Sequence, residues 1–309
     1  MKAHSYGEFV FDFAWAHAAE RAGINYYPKL LTAVPFVPSC GPRLGAHDAI
    51  ARSALAGALL RMPEESGLGS WHGLFLDNAD TAALAAQSAL LRHDVQFQWA
   101  NRAVPYADFE DFLAQLSSDK RKKIRQERRK LADAGLRFEV RSGHAFSEDE
   151  WLRLYALYSN TYEERGNPPY LSLDFFLDYG RSANTPVRVA VAWDGPQIVA
   201  MALLLRGVTT LYGRHWGAAE HYSGLHFETC YYQGIDYCIR ERLARYDAGT
   251  QGEHKLARGF DAVLTTSAHC ITHPRLARAV ADVLRREAPL QRERLAEYAA
   301  RSAYRQAAP

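Results

Sequence analysis

Apolar residues change period along the chain, from three-to-four to two and back, and this predicts an α/β protein whose strands are joined by crossover helices. An aromatic-rich opening over 9–15 runs into a helix ending at Gly23, and LLTAVPFV reads as a strand closed by the loop PSCGPRLG. A helix over 48–62, a strand WHGLFL, a helix over 81–91 with Asp80 as N-cap and a strand VQFQWAN follow. Phe109, Leu113, Leu116, Ile124 and Leu131 then recur at helical or compound spacings, predicting one stiff connecting helix between Pro105 and Gly135. Beyond it come a strand LRFEVR, helices over 148–164 and 173–180, and strands VRVAVAW, QIVAMALLLR and TTLYGRHW, the first two joined by an Asp194-Gly195 hairpin signal. The chain closes with a helix over 225–243, a strand ARYDA, the segment GTQGEHKLARGF, a strand LTTSAHC and a charged helix from His273. The division expected is 1–105, a linking helix 106–134, and 135–309.

Composition narrows the function classes. With 37 Lys+Arg against 35 Asp+Glu, a basic coat for duplex DNA is excluded, although a local patch is not. The longest apolar run, 198–205, is far too short to span a bilayer. Four cysteines without a CxxC spacing argue against a disulfide or zinc framework and suit a reducing, cytoplasmic setting.

Several residues could carry chemistry. Arg214-His215-Trp216-Gly217-Ala218-Ala219 matches R-x-x-G-x-A, a pattern that binds the coenzyme A pyrophosphate at a helix N-terminus, or it is a strand end lining a cleft. Glu228 falls inside the stripe Leu225, Tyr232, Ile235, Ile239, Leu243, so it is either a general base or half of a buried ion pair. Its partner is expected on a neighbouring strand or in 252–259. The segment 251–260 sets polar residues between two glycines just after a strand, where α/β folds place sites. There Lys255 could bind an anion or stabilise an oxyanion, and Arg258 could fork a phosphate. Both are expected around one pocket with His215 and Trp216. The alternative is an ordinary charged, solvated turn. The histidines match no zinc spacing, and no G-x-S-x-G elbow is present, so no metal site and no serine hydrolase are expected. Eight of the eleven residues over 120–130 are basic, with a single Glu127, which makes this either a solvated helix face or a phosphate-reading stripe. Lys29 and Arg43 flank or occupy the Pro/Gly loop of the first part, whose bland reading is a rigid turn.

The order of elements in the second half resembles the GNAT acyltransferase fold. HSYGEFVFDFAWA, YYPKLLTAVPFVPSCGPRL, YGRHWGA, LHFETCYYQGIDY and QGEHKLARGF resemble the Fem-like family of peptidoglycan biosynthesis or recognition proteins, which is similar to the FemABX aminoacyltransferases. The resemblance implies tandem GNAT-like folds with mixed sheets. Family members carry a further segment before HSYGE, so the first fold is expected to lack its opening strand and helix. It also implies an N-acyltransferase acting on an amine, such as that of a cell-wall precursor, with aminoacyl-tRNA or acyl-CoA as donor and no tightly bound cofactor. The partners implied are that precursor and, for the first donor, tRNA. Glu228 and Lys255 are then the catalytic candidates. Lys29, Arg43, Arg214, His215, Trp216, His226, Tyr231, Tyr232, Glu253, His254 and Arg258 are the substrate-binding ones, with the Lys29–Arg43 loop expected at an interdomain cleft holding the acceptor. The competing reading is a non-catalytic protein of the same fold that binds peptidoglycan fragments or nucleotide-linked precursors.

Overall fold

A computed structural model describes residues 1–164, 166–250 and 252–305. The chain divides into two compact units, Met1–Gln96 with Ala262–Ala300, and Phe97–Asp261 with the residues from Arg301. The grouping is discontinuous in sequence, whereas the sequence reading used contiguous ranges.

The first unit contains α1 (Phe13–Arg21), β1 (Leu30–Thr32), α2 (Ala49–Glu65), β2 (Ser70–Gly73), α3 (Asn78–Ala86) and most of β3 (Leu90–Ala100). Here β1 runs parallel to β2, and β2 pairs antiparallel with a strand from the far end of the chain, Asp261–Ile271. Trp15, Ala19 and Tyr26 pack with Leu276, Val280 and Leu284 of the last helix, Pro274–Ala300, which is why that helix groups with the N-terminal segment. The expected strand LLTAVPFV stops at Thr32, because 34–37 close a turn in which the Val37 amide donates to the Val34 carbonyl. Helix α3 starts earlier than expected, capped by Asp77. Asp80 instead turns inward, fully buried, and accepts from the Arg43 and Leu44 amides and from Arg52.

The second unit is built from α4 (Phe109–Gln115), α5 (Ser118–Asp133), β4 (Leu136–Ser142), α6 (Glu148–Glu163), α7 (Leu173–Phe175), β5 (Val187–Asp194), β6 (Gln197–Arg206), β7 (Thr210–Ala218), α8 (Leu225–Phe227), α9 (Gln233–Arg240) and β8 (Arg245–Asp247). The sheet order β8-β7-β6-β5-β4 is antiparallel throughout except for the parallel pair β7/β8, and the end of β3 flanks β8. This order agrees with the order of elements that resembles the GNAT fold, and the protein is an α/β chain with mixed sheets. Trp151, Leu154, Leu157 and Tyr158 of α6 bury one sheet face against Val187, Val189, Val191 and Met201.

The single connecting helix is not formed. It breaks at Leu116, which is extended (ψ 156), because 116 and 117 pair instead with 303 and 304: the Ser117 amide donates to the Ala303 carbonyl. The hydrophobic period continues across the break, so it left no trace in the pattern.

Candidate active site

Strands β7 and β8 are paired only from Thr210↔Arg245 to Tyr212↔Asp247. Beyond those pairs β7 continues toward Ala218 paired with β6, while the segment after Asp247 leaves the ladder, with Ala248 and Gly249 still beside Gly213. Parallel strands that part at their C-terminal ends open a crevice of the kind in which α/β folds hold ligands. Gly217 lets this end of β7 lie against α6: a Cβ there would sit 2.0 Å from the Leu157 carbonyl oxygen.

One wall of the crevice comes from the helical run that follows β7. Between α8 and α9 it loosens into a π turn, Glu228–Tyr232. Such turns frequently interrupt α-helices at functional positions, and periodicity does not reveal them. The opposite wall is the 3-10 turn Glu253–Arg258, entered through Gly252 at φ 103. A Cβ on Gly252 would collide with the His254 ring.

The two walls meet through rings and hydrogen bonds. The Tyr231 hydroxyl and His254 Nε2 are 2.8 Å apart. The Lys255 ammonium, 1% exposed, donates to the Ala248 and Gly249 carbonyls at 3.2 and 2.5 Å and lies over the Tyr231 ring. Burial lowers its pKa to about 8, so the cation still predominates at neutral pH. His226 packs edge-on to both Trp216 (5.1 Å) and Tyr231 (5.3 Å). Burial lowers the His226 pKa to about 4 and also shifts that of His254 down, so both imidazoles are neutral at pH 7. Arg258 stacks 3.4 Å above Phe227, donates to the His254 carbonyl and pairs with Glu127 of α5 at 2.8 Å. The second oxygen of Glu127 accepts from the Tyr232 hydroxyl.

Trp216, His226, Tyr231, Tyr232, His254, Lys255 and Arg258 are therefore brought together. Glu228 is buried and paired, but its partners are Arg128 of α5 (3.1 Å) and Gln233 (2.8 Å), not a strand or the 252–259 segment. Burial raises its pKa against the pull of Arg128. It shares no hydrogen-bond partner with Lys255 among the described residues. Glu253 is exposed and pairs with Arg301. Arg214 and His215 lie within β7, on the side of the α6 tyrosines, and the helix begins only at Leu225, so the R-x-x-G-x-A string does not form a loop at a helix N-terminus.

Lys29 and Arg43 belong to the first unit. Lys29 is fully buried and donates to Ser5, Glu8 and Asp12 at 2.7, 2.7 and 2.5 Å, which uses all three ammonium protons. Burial raises the Asp12 pKa, but the Lys29 charge and hydrogen bonds outweigh it and the net shift is downward. Tyr26 also donates to Asp12 and stands beside a buried pair, His72 and His269, whose Nδ1 atoms are 2.7 Å apart. The HSYGE and YYPK strings thus converge on one closed internal network. Arg43 spends its guanidinium on the carbonyls of Ser39, Pro42 and Leu74.

Glu127 and Arg128 were missed as site residues. The available signal was Glu127 itself, the lone acid in the basic run over 120–130. That run divides by face. Lys122, Lys123, Arg129 and Lys130 are exposed, Ile124 and Leu131 are buried, and Glu127 and Arg128 point to the site.

Residues 1–306 match the FemAB-like family, described as peptidoglycan biosynthesis/recognition. The chain belongs to that family. No curated protein is significantly similar to this FemAB-like chain. Among solved structures it is similar to the C-terminal domain of a putative lysylphosphatidylglycerol synthetase from Agrobacterium fabrum (12% identity, 76% of this chain and 78% of that one, TM-score 0.55). It is also similar to L-PGS from Bacillus licheniformis (12%, 75% and 78%, TM-score 0.52) and to a conserved protein of unknown function from Bacteroides thetaiotaomicron (13%, 71% and 75%, TM-score 0.51). At these identities the likeness concerns the fold. Among the described residues of this FemAB-like chain no helix is long and apolar enough to cross a membrane, and no His/Cys/Asp/Glu group could hold a metal ion.

Proposed function

We propose that the protein is an N-acyltransferase that moves an aminoacyl or acyl group from a carrier to an amine, in keeping with its family an amine of a cell-wall precursor. The observation that carries this reading is the buried Lys255 ammonium at the parting of β7 and β8, beside the solvent-exposed His254 held by Tyr231. The amine nitrogen forms a bond to the acyl carbon, the carbonyl electrons move onto oxygen, and the carrier's C–O or C–S bond breaks as the carbonyl reforms. The amine's proton ends on the departing oxygen or sulfur. Lys255 stabilises the transient oxyanion, since a fixed cation in a water-poor site acts strongly on developing charge. His254, neutral and accessible, receives the amine proton. We assign the base to His254 rather than Glu228 because both Glu228 oxygens are engaged by Arg128 and Gln233. Arg258 fixes the turn that carries both groups.

The exposed cations of α5 favour a polyanionic carrier, aminoacyl-tRNA, over a small one. A thermal-shift panel of tRNA, coenzyme A and cell-wall precursors tests the reading. A true ligand at 100 times its dissociation constant adds about 2.7 kcal/mol of stability. A panel in which neither carrier raises the melting temperature refutes it.

A further inference from the structure

Lys255 donates to the Ala248 and Gly249 carbonyls, and no third acceptor stands beside its ammonium among the described residues. The remaining N–H is what a developing oxyanion would accept, and the ammonium sits 5.8 Å from the centroid of the Tyr231 ring. Tyr231 thus adjoins both groups assigned to the chemistry, since its hydroxyl is 2.8 Å from His254 Nε2. It is 4% exposed, with Phe227 stacked on its ring (6.0 Å) and His226 and Phe260 edge-on to it (5.3 and 5.4 Å). Burial raises its pKa, so it stays a neutral phenol. Its hydroxyl has one hydrogen-bond partner among the described residues, His254 Nε2. The imidazole is fixed as well: Gly252 leaves no room for a Cβ against the ring, and the His254 carbonyl accepts from Arg258.

A neutral imidazole carries one proton, and the hydrogen bond made at one nitrogen decides which nitrogen holds it. If Nε2 held the proton and donated to the phenol oxygen, the buried phenol O–H would be left without an acceptor, at the desolvation cost of an orphaned donor. If the phenol donates to Nε2 instead, the ring proton sits on Nδ1 and no buried donor of the pair is orphaned. The second arrangement is therefore the resting one. It also decides which atom meets the substrate. The lone pair of His254 is covered by Tyr231, and Nδ1, which has no protein partner among the described residues, carries a proton and cannot accept another. A proton reaches this base only through the phenol oxygen, whose own lone pairs remain free.

We propose that Tyr231 is the proton relay of the transfer: its hydroxyl donates to Nε2, holds His254 as the Nδ1–H tautomer, and accepts the proton of the attacking amine as its own moves to Nε2. The same path in reverse returns a proton to the departing oxygen or sulfur, which restores the phenol and the tautomer with no net gain or loss. This rests on the transfer reading above.

The first measurement uses the whole protein with isotope-labelled histidine ring nitrogens, at neutral pH and without substrates. The His254 resonances, assigned by their loss in His254→Gln, are expected to show the proton on Nδ1. Tyr231→Phe keeps the ring contacts and should let the proton move to Nε2. A wild-type proton on Nε2, or an unchanged tautomer in Tyr231→Phe, overturns the proposal, and the first of these needs no variant to fold. The second measurement follows label from aminoacyl-tRNA or acyl-CoA to amine-bearing cell-wall precursors. In Tyr231→Phe kcat is expected to fall about a hundredfold or more, the size of a general acid–base contribution, with KM little changed. Equal transfer by variant and wild type overturns the relay and leaves the transfer reading standing. A wild type that transfers nothing strikes the transfer reading itself, and the relay falls with it.

Discussion

Replacing Arg258 with Met should destabilise the second unit by about 3–5 kcal/mol, the cost of removing one partner of a buried ion pair. The Arg258 side chain is 5% exposed and its partner Glu127 17%, so the carboxylate left behind keeps only the Tyr232 hydroxyl and little water. The same change removes the guanidinium stacked on Phe227 and the donor to the His254 carbonyl, so the 253–258 turn loses its tie to α5. Arg258→Lys keeps the charge but loses the planar fork, and should fall between the two. Arg125→Ala is the control: it breaks an ion pair whose side chains are 54% and 62% exposed, for which the expected cost is below about 1 kcal/mol. Urea unfolding followed by tryptophan fluorescence measures all three. If Arg258→Met costs no more than Arg125→Ala, the turn is not held as described here.

Three further outcomes are expected. Gly217→Ala should cost about 1–3 kcal/mol or more by thermal melting, because its Cβ meets backbone rather than a flexible side chain; an unchanged melting temperature would show that β7 does not approach α6 this closely. In the first unit His72 is held neutral with a folded pKa of about 3, and His269 is shifted well below its ordinary value. Both shifts are downward, so the unfolded chain binds protons first: stability is full above about pH 6.5 and falls below it, by about 2 kcal/mol at pH 5 for His72, with His269 acting in the same direction. His72→Gln should flatten that acid limb in melts between pH 7 and 5. Changing Lys122, Lys123, Arg129 and Lys130 to Gln should flatten the salt dependence of tRNA binding without loss of fold, as none of the four is buried. A parent protein showing no salt-dependent binding would remove the support for a tRNA donor.

The second unit was legible because its elements are long and well punctuated: β5 and β6 are apolar runs, turn signals separate β5, β6 and β7, and α6 carries a full capping box at Ser147 and Glu150. Features set by tertiary pairing were not. The break at Leu116 depends on 303 and 304, Asp80 looks like a helix cap until the Arg43 loop claims it, and the π turn at Glu228–Tyr232 alters no hydrophobic spacing. Of the site, the GEHKLARG string could be located because it sets charged residues between glycines just after a strand, where α/β folds place sites. Its anchor Glu127 sits more than a hundred residues away in a run dominated by cations. The Lys29 network shows the converse: sequence strings that mark a family can assemble a buried scaffold.

The central claim is that Lys255 serves acyl transfer to an amine. It is tested most directly by following a radiolabelled amino acid from aminoacyl-tRNA, and in parallel a labelled acyl group from acyl-CoA, onto amine-bearing cell-wall precursors. Wild type and Lys255→Met are compared, with folding of the variant checked by circular dichroism. The account predicts label in the acceptor with wild type from one of the donors, and loss of at least a hundredfold in the folded variant, the size of effect seen when an oxyanion donor is removed. Transfer that persists unchanged in folded Lys255→Met, or a wild type that binds carrier and precursor yet transfers nothing, would contradict it.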